Sequence, residues 1–188
     1  MIKQLTAVLI LLCSLAGFSQ NDQINNIREH YQDINKKIAT CLESVDDEPF
    51  CDLYCNEIKL NINNKPWRAV GIFMKTIRFW YSDSPHFMPL IEKREQDALQ
   101  KVEITELISD RETYTEILYE DGELIFFYYK LVSGFNEHTE ERFYFSDGKL
   151  IRYLENQTDK TGDADVRQVD YVRSIANQMS LMFLQLHE

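Results

Sequence analysis

Two short stretches constrain this chain more than any other feature. Tyr119-Glu-Asp-Gly-Glu-Leu-Ile125 and Phe145-Ser-Asp-Gly-Lys-Leu-Ile151 align residue for residue, 26 positions apart. In each, an Asp-Gly pair sits between runs rich in aromatic and β-branched residues. Glycine takes the positive φ that a two-residue hairpin turn needs, so Asp-Gly in this setting is a strong local hairpin signal. Two copies of one hairpin, linked through the polar stretch Gly134–Glu141, predict an antiparallel meander. Meanders repeat such turns without sharing a function, so the repeat by itself describes architecture.

The flanking sequence supplies the other elements. Ile24, Ile27, Tyr31, Ile34, Ile38 and Cys41 recur every three or four residues, one apolar stripe on a helix. Asp22 stands where it can cap that helix, which should end near Glu43. Arg28, Gln32 and Lys36 fall on the opposite, polar face. Ile58, Leu60 and Ile62 alternate with Lys59 and Asn61, the period of a half-buried strand. Asn63-Asn64-Lys65-Pro66 reads as a turn, and Ala69 to Tyr81 as a second strand bent near Gly71. Leu90 to Ile108 reads mostly as strand. Asn156 to Asp165 is a polar connector. Asp163 or Asp165 then caps a last helix, with Val166, Val169, Arg173, Ala176, Met179, Phe183 and Leu186 along one face. The expected fold is α+β: a twisted antiparallel β-meander of five to seven strands with N- and C-terminal helices packed on one face.

The first residues read as an export leader. Lys3 is a short basic region, Ala7 to Leu15 an apolar core, and Gly17 and Ser19 the small residues of a cleavage site before Gln20. Residues 1–19 are thus expected to be a removed signal peptide, and residues 20–188 a single domain in a secreted or periplasmic setting, free or associated with the cell envelope. The apolar run is too short to span a bilayer, and no later segment is long enough. Cys13 lies inside the apolar core after Leu12, which argues against lipidation.

The net charge of −11 becomes −12 once Lys3 is lost. An acidic surface without a basic stripe disfavours phosphate backbones, so nucleic acid is not an expected partner. Of the cysteines that would remain, Cys41, Cys51 and Cys55 are odd in number. One disulfide plus one thiol is the simplest account. Cys41 with Cys51 or Cys55 would tie the first helix to the start of the sheet.

Motifs for chemistry are scarce. No nucleophile elbow, metalloprotease helix, phosphate loop or dinucleotide fingerprint occurs. His30, His86, His138 and His187 are scattered. No catalytic residue, metal site or cofactor is expected. Asp159 to Asp165 has the oxygen-rich spacing of a calcium loop without its frame or closing Glu, and a capped helix start explains the same residues. The aromatics are the remaining lead. Trp67, Trp80, His86 and Tyr128 are the candidate ligand contacts. Where aromatic neighbours alternate along a strand, either both faces of the sheet are covered or one shows aromatics to solvent, a surface suited to a glycan or protein.

Ile77 to Tyr81, Ile117 to Ile125 and Phe143 to Ile151 resemble a set of small exported bacterial proteins of unknown function, which have a leader, an amphipathic first helix and a tyrosine-rich meander. The likeness covers about half of the chain after the leader. It implies export in a Gram-negative bacterium and carries no catalytic residues over. The expected function is non-enzymatic binding of a protein or small ligand of the cell envelope, through the sheet or a sheet–helix crevice. The alternative is a cell-envelope hydrolase or lyase using carboxylates.

Overall fold

The two Asp-Gly pairs do close hairpins. Asp121 and Gly122 have φ of 50° and 78°, and Asp147 and Gly148 have 49° and 67°, the positive pair that matches the twist of the flanking strands. The computed structural model describes residues 2–43, 51–69, 71–82, 98–133 and 138–187, the side chains of 2–19 and 133 excepted. Helix α1 (Ile2–Glu43) leads into β1 (Tyr54–Leu60), β2 (Phe73–Tyr81), β3 (Leu99–Ile108), β4 (Arg111–Glu120), β5 (Glu123–Ser133), β6 (His138–Ser146), β7 (Lys149–Glu155), β8 (Thr158–Asp159) and helix α2 (Val166–Gln185). The strands form one antiparallel sheet in sequence order, β1 to β8. The α+β class and the meander are therefore as expected.

The internal repeat extends beyond its turns. A register shift falls between Leu118 and Tyr119 opposite β5, and another between Tyr144 and Phe145 opposite β7, the same aligned positions. The extra residues, Ile125 and Ile151, both turn toward α1. A bulge of this kind bends the strand and increases local twist.

Three expectations change. The described strands number eight rather than five to seven, because Asn156 and Gln157 take φ of 46° and 70° and fold the polar connector back as β8. Asp22 does not cap α1, since the helix is continuous from Ile2 and Asp22 lies within it. The helices do not share one face of the sheet. Ile77, Phe79, Val102, Ile117, Phe127 and Phe143 pack with Val172, Ala176 and Phe183 of α2. Their strand neighbours Trp80, Leu118, Phe126 and Tyr144 pack with Ile24, Ile27, Ile34 and Ile38 of α1. Successive strand residues point to opposite faces, so strands that carry adjacent apolar residues are apolar on both sides. Each face then needs its own cover.

Local details follow the sequence closely. Asp165 accepts a hydrogen bond from the backbone N–H of Arg167 at 2.9 Å and caps α2. The buried stripe of that helix is Val169, Val172, Ala176, Met179 and Phe183, while Val166 and Leu186 are exposed. β2 begins only at Phe73, after a tight reversal in which Trp67 and Gly71 bridge and Gly71 has a φ of 82°. β3 confirms a strand within Leu90–Ile108; residues 90–97 lie outside the described residues. A disulfide joins Cys41 to Cys51, with Cα atoms 4.7 Å apart, and fastens the end of α1 to the approach to β1. No described helix is long and apolar enough to cross a membrane.

Candidate functional site

The face of the sheet under α1 is not wholly apolar. On β3 and β4, Glu103 and Glu116 are directly opposite one another, a placement that two like charges oppose. Lys101, two residues before Glu103 and thus on the same face, resolves the conflict. Its ammonium donates to Glu103 Oε1 at 3.0 Å, to Glu116 Oε1, and to Asn35 Oδ1 of α1 at 2.6 Å. An ammonium has three protons to give, and three acceptors meet it here. Lys101 is only 1% exposed.

Uncharged donors complete the network. Trp80 Nε1 donates to Glu103 Oε2 at 3.1 Å. The Tyr31 hydroxyl donates to Glu116 Oε2 at 2.6 Å, and the Tyr114 hydroxyl to Glu116 Oε1 at 2.9 Å. The Tyr31 ring also lies against the ammonium, 5.3 Å from centroid to nitrogen. Burial, and then the Glu116 carboxylate, push both phenols well above the usual tyrosine range. They remain donors at any physiological pH. A buried charge held this way is costly to break, because each partner is desolvated.

Beside the network, α1 and the sheet part to leave a crevice of about 590 Å³. Tyr31, Tyr114 and Glu116 of the network are among the residues that line it. Phe126, Tyr128 and Tyr144 line the sheet side. Three cations border it: Arg28 from α1, Lys130 from β5 and Arg142 from β6. The Arg28 guanidinium lies over the Tyr144 ring at 5.7 Å, and that of Arg142 over Tyr128 at 5.4 Å. Arg142 is paired with Glu140 at 2.8 Å; Arg28 makes no ion pair among the described residues. A wall of three cations and one carboxylate is unusual in a chain with 20 basic and 31 acidic residues.

The candidate contacts named from sequence scatter. Tyr128 lines the crevice. Trp80 is buried and serves the network through its indole N–H rather than facing a ligand. Trp67 is half exposed and packs against Phe73, the rings tilted with centroids 4.8 Å apart, at the turn before β2, apart from the crevice. His86 lies outside the described residues. Of the cysteine candidates, Cys41 and Cys51 are joined and Cys55 is a free thiol. Desolvation pushes that thiol up to about 11 even though the residue reaches the surface, so it is protonated at neutral pH and a poor nucleophile. Asp159 accepts from the backbone and hydroxyl of Thr161, at 3.0 and 2.6 Å, and pairs with Arg152. Its oxygens serve a turn. Among the described residues, no three His, Cys, Asp or Glu side chains converge as metal ligands.

The residues that sequence reasoning missed carried a faint signal. Lys101 and Glu103, like Tyr114 and Glu116, are spaced by two on strands with apolar neighbours, so each pair must share a face. Tyr31 is the one hydroxyl-bearing residue in an otherwise apolar helical stripe. Compared with known proteins, the chain matches no family model, no curated sequence and no solved structure.

Proposed function

We propose that the protein is an exported binding domain whose α1–sheet crevice takes a small anionic ligand with a flat or apolar body. The observation that carries this reading is the local inversion of charge: Arg28, Lys130 and Arg142 line one crevice, the two arginines over tyrosine rings, in a chain of net charge −11. Guanidinium groups recognise carboxylates through paired donors. Aromatic walls contribute apolar area and stack on flat groups. The leader sequence and the Cys41–Cys51 disulfide support a secreted or periplasmic setting, since disulfides persist in oxidising compartments.

The rival reading, a cell-envelope hydrolase or lyase working through carboxylates, draws less support. The carboxylates at and beside the crevice are engaged, and Glu140 is paired with Arg142. Glu116 receives Lys101, Tyr31 and Tyr114, and Glu103 receives Lys101 and Trp80. A general base needs a lone pair within reach of substrate.

The test is a titration, followed by NMR, with aromatic carboxylates and acidic sugars set against their neutral amide or alcohol counterparts. The anions should give saturable shifts at Tyr128, Tyr144 and Arg28, and the neutral counterparts should not. Arg28→Ala should weaken binding about tenfold, the size of one charge-assisted hydrogen bond. Equal binding of both sets, or shifts confined to the Trp67 turn, would remove the reading. Turnover of any probe would favour the rival.

A further inference from the structure

We infer that β1 pairs antiparallel with β1 of a second copy of this chain, in the register that sets Ile58 against the partner's Ile58. The two edges of the sheet differ. At the far edge β8 pairs with the end of β7. Lys160 N–H then donates to the Tyr153 carbonyl at 2.9 Å, and Tyr153 N–H donates to the Thr161 hydroxyl at 3.0 Å. At the near edge, β1 pairs with β2 along all seven residues. Among the described residues, no backbone hydrogen bond reaches its outer side. It holds no proline and shows no register shift. Exposed edges are commonly blunted by proline, bulges or charged residues; β1 has neither of the first two, and its charges, Glu57 and Lys59, are of opposite sign and lie 2.7 Å apart. Tyr54, Leu60 and the nearby Ile62 are 54%, 44% and 79% exposed.

Charge selects the register and the occupant. Glu103, Arg78 and Glu57 are successive cross-strand neighbours on β3, β2 and β1, so charge alternates across the sheet and ends on a carboxylate at the open edge. Pairing centred on Ile58 places Glu57 against the partner's Lys59 and Lys59 against the partner's Glu57. The alternation then continues across the join, twice by symmetry. It also brings Leu60 diagonally beside the partner's Ile58. Centring on Glu57 or on Lys59 would oppose like charges, which destabilises a ladder.

The experiment is sedimentation of the purified protein over a dilution series. The wild type should dissociate reversibly from dimer to monomer. Lys59→Glu, at an exposed side chain, should weaken the dimer about tenfold or more, because two attractive pairs become repulsive. Glu57→Lys should do the same. An equimolar mixture of the two variants should re-form a dimer, since both cross-strand pairs are then complementary. Thermal melts of each variant check that the fold is kept; should Glu57→Lys fail to fold, Lys59→Glu decides alone. A wild type that stays monomeric, or a dimer indifferent to Lys59→Glu, would overturn the inference. Both outcomes are independent of ligand binding in the crevice.

Discussion

Tyr31 on α1 and Glu116 on β4, 85 residues apart in the chain, are joined by a 2.6 Å hydrogen bond in the wall of the crevice. That bond, with the contact from Lys101 to Asn35 of the same helix, links the helix to a charge network whose remaining members come from β2, β3 and β4. The helix is therefore held in place at this point by polar contacts as well as by its apolar stripe. The consequences can be measured.

Lys101→Met should be among the most damaging single changes. It leaves Glu103 and Glu116 opposed and desolvated, and removing one partner of a buried pair costs about 3–5 kcal/mol. Adding Glu103→Gln and Glu116→Gln should recover part of the loss, because the uncompensated charge is then gone. Denaturant melts of the single and triple variants check this. A triple variant no more stable than Lys101→Met would show that the lysine acts by packing alone.

Reducing the Cys41–Cys51 disulfide should lower stability by about 3 kcal/mol in the chain-entropy view, the bridge closing a sequence separation of 10. Melting with and without reductant gives the number. Cys55→Ser should leave it unchanged, since that thiol takes no part in the bridge.

Gly148→Ala and Gly162→Ala should differ although both glycines have open space where a Cβ would go. Gly148 has a φ of 67° in its turn, and an alanine held there costs about 1 kcal/mol. Gly162 has no such φ, so its alanine variant should be neutral or slightly stabilised. Equal effects in thermal melts would mean that the hairpin turn tolerates any residue.

Alkali should unfold the protein through its tyrosines. Burial raises Tyr119 well above the ordinary value, and burial with the Glu141 contact pushes Tyr153 up to about 12. The folded chain therefore keeps protons that the unfolded chain loses above 10.0. The contribution is fully present below that value and is lost as pH rises toward about 12, where the fold should weaken. Ultraviolet absorbance should show exposed tyrosines ionising first and Tyr119 only with loss of structure. A smooth single titration with the fold intact would contradict this.

Much of the architecture is written locally. Turn chemistry at Asp121-Gly122 and Asp147-Gly148 and the apolar period of both helices are properties of a few adjacent residues, so they can be read from the chain alone; the cap of α2 was narrowed to Asp163 or Asp165, and it is Asp165. The pairing of Cys41 with Cys51 was legible as one of two options, because short loops limit the choices. Which face each helix covers was misread from the chain alone: both helices were expected on one face, and they cover opposite ones. Adjacent aromatics such as Phe126 and Phe127 announce two apolar faces, yet the path of the connections decides how they are shared. The crevice needed the tertiary structure altogether. Lys101, Glu103 and Glu116 look like surface charges in sequence, and Arg28 like part of a solvated helix face. Only the register of β3 on β4 and the docking of α1 bring them together, because electrostatic partners act through distance in space and sequence spacing records only distance along the chain.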